Sequence, residues 1–170
     1  PSRGLGDVYK RQSLYRKNKE FATAGYYKVN LERYDIDVEL TATERVGLHN
    51  YIFPNAENSR IIIDLGEGSA DRPTETYIKK VNDTLFEGHR FSTGWARDQR
   101  EYFSLVISKP VSDFIIYDRH KKFKGIERKG DYVKGFLEFS TDKDEKIMVK
   151  MGVSTVSSKN ALENMMIELP

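Results

Sequence analysis

The stretch Gly88-His-Arg-Phe-Ser-Thr-Gly-Trp-Ala-Arg-Asp-Gln99 concentrates the side chains best suited to holding a ligand. It carries the only tryptophan of the chain, Trp95, with His89, Arg90, Arg97, Asp98 and Gln99 around it. Such a set suits a sugar. An indole plate packs on C–H faces, while guanidinium, carboxylate and amide groups reach hydroxyls. The same residues also fit a plainer role, a core tryptophan braced by an Arg–Asp pair. Phe91, Tyr102 and Phe103, at strand spacing, weigh towards that plainer role. The 26 Asp and Glu residues offer no pair that spacing alone marks as catalytic. Glycoside hydrolysis needs two carboxyls flanking one bond, roughly 5 to 9.5 Å apart, and strand spacing does not fix such a distance.

Other chemistries drop out by residue type. With no cysteine there is no disulfide framework, thiolate zinc site or thiol nucleophile. The three histidines, His49, His89 and His120, are not spaced as metal ligands on one helix, and no metal site is assigned. Gly66-Glu-Gly68 lacks the third glycine and the lysine of a phosphate loop, so it reads as a turn. Asn82-Asp-Thr84 reads as the turn of a hairpin. Thr141-Asp-Lys-Asp-Glu145 lacks the glycine and distal glutamate of a calcium loop and reads as a solvated hairpin turn.

The elements that must position these residues are strands. Twenty aromatics in 170 residues (Trp 1, Tyr 10, Phe 9) favour sheet over helix. Ile36, Val38, Leu40 and Ala42 alternate with Asp37, Glu39 and Thr41, predicting a strand with the first set inward. Gly47–Phe53, Arg60–Leu65, Thr84–Ser92, Glu101–Ser108, Asp113–Tyr117, Tyr132–Phe139 and Lys146–Ser154 also read as strands, the Ile-rich Arg60–Leu65 as one covered on both faces. Asp71–Thr76, with Pro73, and the basic Lys121–Lys134 read as loops. One helix is expected at the end, capped by Ser157 or Ser158, with Ala161, Leu162, Met165 and Met166 on one stripe. Short strands at regular spacing with a single terminal helix predict an all-β fold, an antiparallel β-sandwich.

The length suits one domain. The first twelve residues follow neither period, so residues 1–20 read as a disordered, non-native leader and 21–170 as the folded part. The 28 basic and 26 acidic residues nearly cancel, which argues against a nucleic-acid partner. No apolar run approaches the roughly 18 residues of a membrane span.

Several runs resemble the N-terminal domain of glycoside hydrolase family 92, the bacterial α-mannosidases. They are Gly25-Tyr-Tyr-Lys-Val29, Glu39-Leu-Thr-Ala-Thr-Glu-Arg-Val-Gly-Leu-His49, Ile63-Asp-Leu65, Gly88 through Gln99, Ser108-Lys-Pro110 and Val149-Lys-Met-Gly-Val-Ser154. Asn160-Ala161 and Glu168-Leu-Pro170 extend the likeness to the end. The resemblance implies a sandwich of the galactose-mutarotase-like supersandwich type, here incomplete. It also implies an (α/α)6 catalytic domain that follows in the same polypeptide and is absent from these residues. In that family the reaction is calcium-dependent, exo-acting and inverting, and the catalytic carboxylates and the calcium belong to the absent domain. The expected partners are that domain and α-mannoside glycans such as N-glycans or mannans. The expected location is periplasmic, cell-surface or secreted. Trp95, Arg97, Asp98, Gln99, His89 and Arg90 remain the candidates for contact with sugar or domain. A stand-alone carbohydrate-binding module and a structural sandwich of a cell-surface protein are the rival readings.

Overall fold

The computed structural model describes residues 13–68 and 70–170. Alternating sequences there become thirteen strands: β1 (Glu20–Thr23), β2 (Tyr26–Leu31), β3 (Ile36–Ala42), β4 (Val46–Phe53), β5 (Ala56–Asp64), β6 (Arg72–Lys80), β7 (Leu85–Thr93), β8 (Gln99–Ile107), β9 (Asp113–Asp118), β10 (Lys121–Phe123), β11 (Glu127–Gly130), β12 (Val133–Thr141) and β13 (Glu145–Ser154). Among the described residues the single α-helix, α1, spans Ser158–Glu168. A nine-stranded sheet in the order β1-β2-β3-β4-β13-β8-β7-β6-β11 faces a four-stranded sheet, β10-β9-β12-β5. Every pairing is antiparallel. The fold is thus the expected sandwich.

Between the sheets, Ile78, Phe86, Phe103, Leu105, Ile107, Ile147 and Val149 of the large sheet meet Ile63, Phe114, Ile116, Leu137 and Phe139 of the small one. These residues alternate along their strands, so the period-2 pattern is what builds the core. Helix α1 lies on the opposite, outer face of the large sheet. There Ser157 Oγ accepts a hydrogen bond from Asn160 N (3.1 Å), an N-cap, and Ser104 Oγ donates to Ser158 O. At the other helix end, Glu168 accepts from Arg45 Nε and from the Arg45 backbone N–H, tying α1 to the β3–β4 turn.

Several expectations are corrected. Arg72–Lys80 is a strand, although Asp71–Thr76 reads as a loop. Pro73 is tolerated because the register shifts between Pro73 and Glu75, and β11 pairs only with Thr76–Lys79. Lys121–Lys134 holds two short strands and the start of β12 instead of one loop. Ile62 is 50% exposed, so β5 is covered on one face only. On β3, Val38 is buried and Leu40 half-buried, but Ala42 is exposed. On α1, Ala161 and Met165 are buried while Met166 points to solvent. Thr141–Glu145 joins β12 of one sheet to β13 of the other, so it is an inter-sheet turn and not a hairpin, with Asp144 in the left-handed region. Asn82 does close a hairpin, accepting from the backbone N–H groups of Thr84 and Leu85. Of the leader read as residues 1–20, residues 1–12 lie outside the described residues. Residues 17–19 form a 3-10 turn, and Glu20 already pairs with Val29.

Candidate functional site

Two loops meet at one end of the sandwich: residues 65–68 and 70–71, between β5 and β6, and the β7–β8 hairpin tip at 94–98. Arg90 joins them. Its Nε donates to Leu65 O (3.0 Å), and its two terminal nitrogens donate to Asp71 at 2.5 and 3.0 Å. Both side chains of this bidentate pair are largely shielded, 13% and 16% exposed. The guanidinium holds the Asp71 carboxyl down to about 2. The pair is packed tightly enough to dictate glycine nearby. A Cβ on Gly68 would lie 1.8 Å from Asp71 Oδ1, and one on Gly94 would lie 2.7 Å from Ala70 O. Gly68 and Gly94 therefore serve a braced loop end.

Trp95 stands at the tip of this braced hairpin and is 99% exposed. The core role that its aromatic neighbours favoured is overturned. Phe91 and Tyr102 lie on strands and pack with each other, 5.4 Å between centroids, while Phe103 turns into the core. Trp95 lies in the turn, where strand alternation no longer decides which way a side chain points. Arg97 is exposed beside it. Asp98 is engaged by Arg100 Nε at 3.2 Å, and Gln99 Nε2 donates to Glu101 Oε1 at 2.8 Å.

The six sequence candidates therefore separate. Trp95 and Arg97 share the tip, Asp98 and Gln99 are tied to neighbouring side chains, Arg90 braces the loops, and His89 lies on the outer face of the large sheet. There His89 is sandwiched between Phe91 (4.2 Å) and Tyr77 (5.4 Å), with Tyr102 edge-on. Its Nε2 lies 3.0 Å from Glu75 Oε1, and Lys129 holds the other Glu75 oxygen at 2.7 Å. Burial pulls the His89 pKa down, with Glu75 opposing. Tyr77 donates to Glu127 Oε2 (2.6 Å), and burial with that bond pushes its hydroxyl up to about 12.

Sequence reasoning missed two features. Asp71 had no visible partner, because Arg90 lies nineteen residues away. The other is a cavity of about 320 Å³ between the sheets, lined by Ile61, Ile63, Phe103, Val149, Met151 and the His49–Tyr51 pair. Tyr51 Oη lies 2.7 Å from His49 Nδ1; burial lowers the His49 pKa and raises that of Tyr51. Alternation along Gly47–Phe53 hints that both face inward, but only sheet pairing reveals the space above them.

Chemically, the arrangement offers an exposed indole and guanidinium on a braced loop end. Among the described residues, each carboxyl displaced from its ordinary value (Glu39, Asp71, Glu75, Glu145, Glu168) is displaced downward. A general acid needs the opposite shift. Nor does any group of three or more His, Asp or Glu side chains among the described residues converge as a metal site.

A family model described as the glycosyl hydrolase family 92 N-terminal domain matches residues 4–154. The chain belongs to glycosyl hydrolase family 92. Its match to that domain begins inside the stretch read as a leader. Solved structures agree with the fold. A family 92 α-mannosidase of Bacteroides thetaiotaomicron, BT3965, superposes with a TM-score of 0.87 at 26% identity, over 91% of this chain and 22% of that one. The family 92 inverting mannosidase BT2199 of the same organism gives 0.80 at 21% identity, over 95% of this chain and 21% of that one. The family 92 hydrolase ccman5 gives 0.80 at 19% identity, over 92% and 22%. No curated protein matches the sequence. The chain thus spans about a fifth of the length of the structures it matches. As an N-terminal domain of family 92 it comes from a glycoside hydrolase family whose solved members include α-mannosidases.

Proposed function

We propose that residues 21–170 are the non-catalytic β-sandwich part of an exo-α-mannosidase that removes terminal mannose from N-glycans or mannans. The observation that carries this reading is the family 92 match over residues 4–154. Its support is a loop end with a braced, solvent-facing tryptophan. The parent reaction is proposed to be inverting. A carboxylic acid protonates the leaving oxygen while a carboxylate activates water on the opposite face of the ring. Both groups, and the calcium that assists, are assigned to an (α/α)6 domain outside these residues. Among the described residues no three His, Asp or Glu side chains gather as a metal site.

In this reading the sandwich docks on the catalytic domain and walls one side of its cleft. Apolar surface around α1 fits that docking. Val156, Met166 and Ile167 are exposed, and a groove of about 480 Å³ runs between Val106, Met148, Leu162 and Met165. Isolated domains rarely present such contiguous apolar surface without a partner. The parent is proposed to act in the periplasm, at the cell surface or after secretion, where polymeric mannosides are met.

The test follows the anomeric proton signals by NMR while the longer gene product cleaves an aryl α-mannoside. Inversion requires β-mannose as the first-formed sugar, with the α anomer appearing later by mutarotation. First release of α-mannose, or no release from any α-mannoside, removes the reading.

A further inference from the structure

The outer face of the four-stranded sheet departs from the usual alternation of apolar inside and polar outside. Ile116, Leu137 and Ile63 point into the core, so the residues between them on β9, β12 and β5 point outward. Residues opposite each other in an antiparallel ladder share a face, and the register sets the outward ones in three rows. The middle row is Ile115–Phe136–Ile62, wholly apolar. The row nearer the 65–68 loop is Lys122–Tyr117–Lys134–Asp64, and on the other side lies Asp113–Glu138–Arg60. Tyr117 meets Phe136 edge to face, 5.2 Å between centroids.

These rows border a trough of about 650 Å³, floored by Ile115, Tyr117 and Phe136 and reaching His120 and Tyr132 at the loop end. Its rim charges are largely matched. Arg60 pairs with Glu138 at 3.2 Å, and Lys134 with Asp64 at 2.7 Å and Glu67 at 3.9 Å. The excess lies on one side. From Arg119 to Lys124 the β9–β10 hairpin reads Arg-His-Lys-Lys-Phe-Lys, with no acid. Arg119 lies over the Tyr132 ring, 4.3 Å from its centroid, and reaches Asp131 in an exposed pair. Lys121, Lys122 and Lys124 are exposed and make no ion pair among the described residues. Lys122, opposite Tyr117, brings that positive charge to the edge of the aromatic floor.

We propose that this trough binds an acidic saccharide chain, one whose sugars carry carboxylates. The C–H faces of a sugar ring pack on Tyr117 and Phe136. Hydroxyls meet the Arg60–Glu138 and Lys134–Asp64 pairs, which offer donors and acceptors side by side. A sugar carboxylate turns towards Lys122 and Arg119, the side where positive charge is in excess. Two other anionic partners fit less well. A nucleic acid, charged at every unit, would lay phosphates against Glu67 and Glu138 on the rim. A lipid surface is met by protruding apolar side chains, whereas these rings are half-buried in a recess. The proposal rests on the outer face of the small sheet and does not depend on the α-mannosidase reading.

Calorimetric titration of the longer gene product at low salt tests it, with galacturonate and mannuronate tetrasaccharides as the probes. At least one of them binds. Methyl esterification of that probe, which keeps the ring and removes the charge, weakens binding by about tenfold or more. Lys122→Glu weakens it by a similar factor and leaves the melting temperature unchanged, because the side chain is exposed. Tyr117→Ala, which removes part of the floor, weakens it as well. Absence of binding by both tetrasaccharides overturns the proposal, and so does binding that esterification, Lys122→Glu or Tyr117→Ala leaves intact. Tighter binding of single-stranded DNA, itself lost in Lys122→Glu, also overturns it, since that marks a general polyanion surface. If Tyr117→Ala does not fold, the ester and Lys122→Glu decide between them.

Discussion

Asp71 and Arg90 set the behaviour of the loop end, and their chemistry has a definite pH signature. The Asp71 carboxyl is held at about 2, below its unfolded value near 3.8, mainly by the Arg90 hydrogen bonds. A depressed carboxyl contributes stability that is complete above pH 4 and is lost as pH falls from about 4 towards 2. The contribution is about 1–2 kcal/mol after allowing for the remaining solvent contact. Acid titration of urea-unfolding midpoints should therefore show a loss below pH 4 that Asp71→Asn reduces, with Glu39, Glu75, Glu145 and Glu168, also held down, supplying the rest. At pH 7 that variant should be less stable by about 1–3 kcal/mol, since it leaves the shielded Arg90 without its carboxylate. Trp95 should behave in the opposite way. Its ring is almost wholly in water, so Trp95→Ala should change the stability of the 170-residue chain by less than about 0.5 kcal/mol. In the longer gene product the same change should lower kcat/KM about tenfold or more if the ring meets sugar or the catalytic domain. A large drop in melting temperature for the chain alone would contradict the exposed placement.

The helix and its seat give a test at the scale of elements. Gly152 on β13 lies under α1, where an added Cβ would come within 2.2 Å of Ala161 O. Gly152→Ala should lift the helix off the sheet and destabilise by about 1–3 kcal/mol. Ser157→Ala, which removes the N-cap, should cost about 1 kcal/mol. Chemical denaturation of both variants reads the two effects. The cap was legible in the sequence because serine before an apolar helical stripe has a local cause. So were β4, β7, β8 and β13, whose inward residues alternate without a break. β11 was not legible. Glu127-Arg-Lys-Gly130 has no apolar alternation, and its order comes from pairing with β6 and from Thr76 Oγ1 donating to Gly130 O. The exposed side of β5 was hidden for the converse reason. Three consecutive isoleucines read as covered on both faces, while the sandwich covers only the side of Ile61 and Ile63. The direction of Trp95 was illegible because turn geometry, unlike a strand, leaves no periodic trace.

Across the whole molecule, a four-stranded layer, an apolar groove beside α1 and a solvent-facing tryptophan describe a wall that expects other parts around it. In the proposed reading the chemistry lies in the catalytic domain, because an inverting hydrolase needs an acid and a base across one cleft. The most direct measurement compares aryl α-mannoside hydrolysis by the 170-residue chain and by the longer gene product, each with calcium and with a chelator. The account predicts no turnover by the chain under either condition and calcium-dependent release of mannose by the longer product. Turnover by the chain alone, or a longer product inert towards every α-mannoside, would contradict it.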